Sequence, residues 1–461
     1  MSDSSINSIL NTARHSLMTH KDAVGTTSKN ISNINTPGYT RRRADFSSMR
    51  DVSGGFASLS GAMSTEDVER LKNSFIEKQL VNQKSMQSKY DTDVTLMGQI
   101  EDIFGEPEKS GLANTLREFW NSWRELSRNP ESKTARTMVK NKGQILTQSF
   151  NRINSDLISQ KEDIEKQMAE KVKQVNDKIE KLRNINEKVI ANRSPDLFDE
   201  RDQLARDISE IIDVSIQENE NGALKVVSDG QLLLSDNVSR KLKVNYSGTG
   251  KGSGEATLKI KNSELTVRPK AGELGSMMNI YNKKLPSYIE KLNTLATNIA
   301  EEVNNIHSKG YNIEDKTGLS FFKENVTSAS NFGMSERIER NPSLIASASK
   351  PAQAGNGKIA QKLADLQNKE FISEEFTPVS PQQYYDSLIT GIGSEVQQAE
   401  GLSSSQSKIV DNITNQREEV SGVSLDEEMM NLSQYQQGYQ GAARVVTVVN
   451  DMVDAVLGLV R

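Results

Sequence analysis

The stretch from Leu425 to Val460, LDEEMMNLSQYQQGYQGAARVVTVVNDMVDAVLGLV, restricts the fold more than any other part of the chain. Apolar or aromatic residues recur every seven positions at Leu425, Leu432, Tyr439, Val446, Val453 and Val460. A second row follows three positions on, at Tyr435, Ala442, Val449 and Val456. These rows are the a and d positions of a coiled-coil seam. An amphipathic helix lying on its own core has the same periodicity. The seam is favoured because no folded sequence follows it, so a partner helix is expected.

The N-terminal stretch supplies a candidate. Leu10, Leu17, Val24 and Ile31 also recur every seven residues, flanked by Ile6, Ala13 and Ile34, with His20 and Thr27 interrupting the second row. Residues 1–50 carry seven basic and three acidic side chains, a net of +4, whereas residues 415–461 carry three basic and seven acidic, a net of −4. Opposite charge on the two seams favours pairing with each other over self-pairing. The expected result is a molecule closed at its base by both termini.

At 461 residues the chain accommodates about three domains and can bury a core in its middle. Only 35% of residues are hydrophobic and 5% aromatic, which suggests elongated helical layers over one compact globule. A net charge of −5 argues against nucleic acid as a partner, since no basic stripe can track a phosphate backbone. The one basic cluster, Arg41 to Arg43, reads as a solvated turn. Cysteine is absent, which excludes thiol nucleophiles and thiolate metal sites and suits a protein that stays free of cross-links during export. No cleavable signal and no run of about 18 apolar residues is visible, so neither classical secretion nor membrane insertion is expected. The three histidines, His15, His20 and His307, form no HExxH, and no GxSxG occurs. No enzyme, metal or cofactor is expected.

In chain order, the first helix is predicted to end near Asn35, because Pro37 disfavours helical geometry at Thr36. Thr36-Pro-Gly-Tyr39 then reads as a turn with Gly38 at positive φ. Residues 51–66 are a Gly/Ser-rich linker, and a helix begins beyond it. After a break at residues 105–111, Phe119, Trp120, Trp123 and Leu126 fall on one helical face and are read as core. Gln144 to Ala191 reads as one long helix, with Met168, Val175, Leu182 and Val189 in one row and Val172 and Ile179 in another. Past Pro195, the group Asp199, Glu200, Arg201 and Asp202 reads as an exposed helical charge network. From Val214 to Pro269 short alternating runs, separated by Asn221-Gly222, Asp229-Gly230 and the Gly-rich Ser247 to Gly254, predict one small antiparallel sheet. Helix returns from Leu285 to His307, near Gly357 and from Gln382 onward, with an irregular stretch at 310–350.

The fold class expected is mainly α with a small β insert. It is a discontinuous, elongated helical rod whose N- and C-terminal helices pair as a coiled coil. Residues 1–50 and 415–461 form the terminal coiled-coil domain, and 51–66 the linker. Residues 67–210 and 273–414 make the helical middle domain, and 211–272 a small outer β domain.

Ser28-Lys-Asn-Ile-Ser-Asn-Ile-Asn-Thr-Pro-Gly-Tyr39 resembles the N-terminal signature of the bacterial flagellar axial proteins, with Asn30, Ile31, Asn33, Asn35, Thr36, Pro37, Gly38 and Tyr39 as matching positions. Leu197 to Leu204, the Leu285 to His307 helix with Gly310 and Gly318 to Phe322, Gly422 to Glu428, and Tyr435 to Arg444 are similar to the hook-associated, junction-forming branch of that family. Two departures stand out: Ser28 to Ile34 is more polar than usual, and the β insert is short.

The resemblance implies a structural protein, exported unfolded through the flagellar channel to the cell exterior. There it would form a homo-oligomeric junction at the hook tip, between the hook protein and the next hook-associated protein on the filament side, after release from a cytoplasmic export chaperone. The residues expected to assemble are Leu10, Leu17, Val24, Ile31, Asn33, Asn35, Pro37, Gly38 and Tyr39 at the N-terminal end. At the C-terminal end they are Leu425, Leu432, Tyr435, Tyr439, Ala442, Val446, Val449, Val453 and Val456, where the chaperone is also expected to bind. The alternatives are another axial protein of hook or distal-rod type, and a non-flagellar coiled-coil scaffold or adhesin.

Overall fold

The structure, a computed structural model, describes residues 3–44, 68–105, 111–248, 252, 254–374 and 377–459. The expected linker at 51–66 lies outside them. The chain divides into two compact units: Met1–Gln87, Gln174–Lys241 and Gln406–Arg461 form the first, and Ser88–Lys173 with Leu242–Ser405 the second.

Helix α1 spans Asp3–Ser32 and leads into a short antiparallel pair, β1 (Arg42–Ala44) with β2 (Val68–Arg70). Helix α2 (Ser74–Phe104) starts where the Asn73 side chain accepts the Phe75 N–H at 3.0 Å. Helices α3 (Leu112–Arg128) and α4 (Lys133–Ala191) follow. The long helix therefore begins eleven residues before the expected Gln144, where Ser132 accepts the Ala135 N–H. Both predicted rows of α4, Met168, Val175, Leu182, Val189 and Val172, Ile179, are buried. Helix α5 (Pro195–Ile211) has Pro at its first position, where a missing N–H costs nothing.

The β region forms two sheets where one was expected. Strands β3 (Ser215–Glu218), β4 (Leu224–Ser228), β5 (Gln231–Ser235) and β6 (Val238–Ser239) run as an antiparallel meander in the first unit. Its first two hairpins turn at the predicted Asn-Gly and Asp-Gly pairs, and the third turns at Asp236-Asn237; Asp229 and Gly230 both have positive φ, the backbone such tight turns require. Strands β7 (Leu242–Tyr246), β8 (Ala256–Ile260) and β9 (Thr266–Val267) form the other sheet, in the second unit. Each sheet is tied to different helical residues. In the first, the Asn186 amide exchanges two hydrogen bonds with the Leu224 backbone. In the second, Asn282 does the same with Ala256. Asn282 sits in a π-turn, Ile280–Lys284, between α6 (Gly272–Asn279) and α7 (Leu285–His307).

The irregular stretch contains α8 (Glu336–Arg340) and two isolated bridges, Tyr311 to Ala348 and Phe322 to Met334. Then come α9 (Lys358–Asp365), the hairpin β10 (Ile372–Glu374) and β11 (Thr377–Val379), α10 (Pro381–Ser421) and α11 (Leu425–Leu459). Ser380 and Gln383 form a reciprocal capping box at the start of α10.

In the second unit, Phe119, Trp120 and Trp123 of α3 are fully buried with Phe321, Phe322 and Phe332. Their rings meet edge-on or tilted, for example Trp123 and Phe321 at 5.1 Å and Phe322 and Phe332 at 4.7 Å. The two tryptophans are core, as their helical spacing predicts.

Candidate assembly site

Helices α1 and α11 pack along each other, and α1 meets no other helix so extensively. Their direction is antiparallel: Asn30 meets Glu428 at 3.0 Å, while ten residues earlier on α1 the His20 ring lies over Gly438, ten residues later on α11. The seam does not use the N-terminal residues equally. Ala13, Ala23, Thr26, Thr27 and Asn30 are buried in α1, whereas Leu10, Leu17, Val24 and Ile31 are half-buried along its flank. The row that His20 and Thr27 interrupt in sequence is thus the one nearest the partner helix. On α11, Ala442 and Val449 are buried, and Leu432, Tyr435, Val446 and Val453 are half-buried. Leu425 and Tyr439 are exposed in this single chain. The Val456 side chain lies outside the described residues.

At the end of α1 the chain turns as the Thr-Pro-Gly-Tyr motif dictates, with the Tyr39 N–H donating to the Thr36 carbonyl at 3.2 Å and Gly38 at φ +82°. A Cβ at Gly38 would stand 2.6 Å from Gln203 Oε1 and 2.9 Å from Arg206 Nη2, so α5 closes on this turn. Asn33 braces it, donating to the Lys29 carbonyl and accepting from the Thr36 hydroxyl. Asn35 and Pro37 are exposed. Asn30 is the hub: its Oδ1 accepts from the Tyr39 hydroxyl at 2.9 Å and the Arg42 N–H at 3.1 Å, and its Nδ2 donates to the Arg42 carbonyl and Glu428. Every hydrogen-bonding position of this buried amide is used.

The next layer corrects two expectations. Arg41 to Arg43 do not form a solvated turn. Arg41 pairs with Glu427 and Glu428, and Arg42 is buried against Asp196 and Asp199 with its guanidinium over the Tyr39 ring; only Arg43 is exposed. Nor is the charge group of α5 an exposed network. Arg201 is wholly buried, and Asp199 and Asp202 nearly so. Asp199 receives Arg42 and Arg70; Asp202 receives Arg70, Lys72 and Arg201. Beside them Glu77 bridges Arg206 at 2.7 Å and Arg417 at 2.8 Å. Each cluster looks solvated by itself because its partners lie far away in sequence. Brought together, they neutralise one another and leave water.

The electrostatics follow from this. Burial by itself would raise the Asp202 carboxyl, but Arg201, Lys72 and Arg70 more than reverse it and hold the group well below the ordinary carboxylate range. Burial pushes the Tyr39 hydroxyl up to about 12 against the opposing pull of Arg42, so it remains a proton donor to Asn30. Nothing here resembles an acid–base pair poised near neutrality. The arrangement fixes geometry: it locks the exit of α1, the β1–β2 pair and the start of α11 onto α5.

Sequence reasoning missed Asn30 as a hub and gave Glu77, Arg417 and Glu428 no individual role. The available signal was the opposite net charge of the two termini, which identifies partners as regions but not as residues.

Comparison with known proteins agrees with this architecture. The family described as flagellar hook-associated protein FlgK helical domain matches residues 97–322, and the flagellar basal body rod FlgEFG protein C-terminal family matches 414–459. Flagellar hook-associated protein 1 of Bacillus subtilis is 28% identical, with 97% of each chain covered. Along nearly its whole length the chain is thus similar to flagellar hook-associated protein 1. Its Salmonella typhimurium relative of the same name is 22% identical across 98% of this chain and all of that one. The solved structure of the flagellar hook junction protein FlgK from Burkholderia pseudomallei shares the fold, with a TM-score of 0.67, 15% identity, and coverage of 75% of this chain and 100% of that one.

Proposed function

We propose that this chain is a structural component of the bacterial flagellum that assembles at the hook tip and joins hook to filament. The observation that carries the reading is end-to-end similarity to proteins named flagellar hook-associated protein 1, both terminal seams included. The chain acts by geometry and has no catalytic role. In the assembled junction, copies of the chain pack through α1 and α11, using the flanking row Leu10, Leu17, Val24 and Ile31 together with Leu425, Leu432, Tyr439 and Val446. Leu425, Met429, Met430, Tyr439, Val445, Val448 and Met452 leave apolar surface exposed on a single α11, which suits a helix that gains neighbours on assembly. The same surface is an aggregation hazard before export, and a cytoplasmic chaperone covers it. The hook protein and the next hook-associated protein are the axial partners, outside the cell. No helix among the described residues is long and apolar enough to cross a membrane.

The test is to add purified protein to hooks stripped of filament and locate it by immuno-electron microscopy. Binding confined to the distal tip, restoring filament growth when the remaining components are supplied, is the expected result. Binding along the whole hook, or none, would overturn the assignment in favour of another axial protein or a scaffold.

A further inference from the structure

Helices built on heptads have a register problem, since sliding by seven residues places one apolar row on the next at little cost. The α1–α11 seam is especially exposed to it, because its buried positions are small or polar: Ala13, Ala23, Thr27, Ala442 and Val449 fill similar space in several registers. Something other than apolar burial must choose one alignment.

We infer that His20 and Gly438 form a register lock that fixes the pairing of α1 with α11. Gly438 lies in the interior of a 35-residue helix. Glycine in a helix interior is less favourable than alanine, and at this position it has a packing reason. The reason is visible: a Cβ at Gly438 would stand 2.6 Å from Nε2 and 2.8 Å from Nδ1 of His20, and closer still to Cε1. The imidazole occupies the space that any other residue at 438 would fill. Gly441, three residues on, is the internal control, since a Cβ there meets nothing within 4 Å.

A one-heptad slide would bring the His20 ring onto position 431 or 445, where Asn431 and Val445 carry side chains. One direction drives the ring into an amide and the other into a β-branched residue, so both alternatives are rejected sterically. The Asn30–Glu428 hydrogen bond, ten residues away on each helix, agrees with the same alignment. It would be lost in either slide, leaving both polar groups short of a partner. The lock also discriminates between partners. A second α11 in place of α1 presents no imidazole to the notch, so the pairing favours one N-terminal with one C-terminal helix.

The chain contains no cysteine, so register can be read directly by disulfide trapping in the full-length protein. Counting seven residues from Asn30 and from Glu428 places Ala23 opposite Tyr435, while Ala23 with Ala442 reports a slide of one heptad. Under mild oxidation the Ala23→Cys/Tyr435→Cys protein should form an intrachain disulfide, seen as faster migration in non-reducing electrophoresis, and the Ala23→Cys/Ala442→Cys protein should not. Adding Gly438→Ala should lower the yield of the first disulfide several-fold. Gly441→Ala, which adds the same methyl and the same helix propensity, should not change it. His20→Ala combined with Gly438→Ala should restore the yield, because the notch and the ring are removed together. Equal trapping with Gly438→Ala and Gly441→Ala would overturn the lock, as would failure of the double substitution to rescue. Absence of the first disulfide in the parent background would overturn the pairing on which it rests. All readouts are intrachain bonds, independent of whether the protein binds the hook.

Discussion

Arg201 in the first unit and Trp123 in the second are both wholly removed from solvent, yet opposite physics holds them. Around Arg201 the contacts are directional. Its guanidinium reaches Asp202, Glu218 and the Gly222 carbonyl, and Asp202 also receives Arg70 and Lys72 from a distant segment. Around Trp123 the contacts are apolar faces and edges, and its indole N–H, like that of Trp120, has no hydrogen-bond partner among the described residues. A packed aromatic cluster tolerates a change of shape if volume is kept. A buried charge network tolerates no missing member, because the remaining charge is stranded. The aromatic core therefore supplies stability, and the charged junction supplies a unique geometry where the terminal helices leave the body of the first unit.

Four outcomes test this contrast. The largest expected effect is Trp123→Ala, which should destabilise the second unit by about 3–5 kcal/mol in a denaturant melt. Trp123→Phe should cost much less, because no hydrogen bond is lost. Comparable losses for the two would break the packing account. Next is Glu77→Met, which keeps volume but strands Arg206 and Arg417. A loss of about 3 kcal/mol is expected in the first unit, with recovery when all three residues are made Met. A near-neutral Glu77→Met would show that the junction is as forgiving as the aromatic core.

Third is Gly38→Val, which forces a β-branched residue to positive φ against Gln203 and Arg206. It should cost about 1–2 kcal/mol, read as earlier unfolding of the first unit. The smallest effect near neutrality is a titration. His307 is fully buried; its Nδ1–H donates to the Leu319 carbonyl at 2.7 Å, and its bare Nε2 accepts the Ala346 N–H at 2.9 Å. A proton on Nε2 would face that N–H, and burial, reinforced by nearby Arg136, lowers the imidazole to about 4. The unfolded chain, titrating near 6.5, then binds the proton more readily than the folded one. Stability from this group is complete above about 6.5 and is lost as pH falls toward 4. Asp202 shifts in the same sense but from the ordinary carboxylate value, so the first unit should lose its share only at still lower pH. Both tryptophans lie in the second unit, so their fluorescence in thermal melts at pH 7 and pH 5 reports on the unit that holds His307. An unchanged midpoint between those pH values would refute the His307 contribution.

Much of this was legible in advance. Periodicity located α1, the long α4 and α11, and the Trp120 and Trp123 face, because a buried helical stripe must be apolar at helical spacing wherever it packs. Turn chemistry located Gly38 and the Asn-Gly and Asp-Gly hairpins, because positive φ is a local steric property of the residue that adopts it. These features belong to single segments, and the sequence by itself determined them, along with the opposite charge of the two ends and the family resemblance.

Tertiary structure decided the rest, for a common reason. Whether a charge is solvated or buried depends on a partner that can lie anywhere in the chain: Arg42 finds Asp199, and Glu77 finds Arg417, across 157 and 340 residues. Local spacing carries no trace of such a match, so Arg41 to Arg43 and Asp199 to Asp202 read as surface until they meet. The division of the β region has the same origin, since strands with one alternation pattern were sorted into two sheets by the helical residues, Asn186 and Asn282, that each sheet found to complete its hydrogen bonds. So does the seam of α1, where Ala13 and Thr27 of the interrupted row are buried and the His20 ring lies against Gly438 of the partner helix.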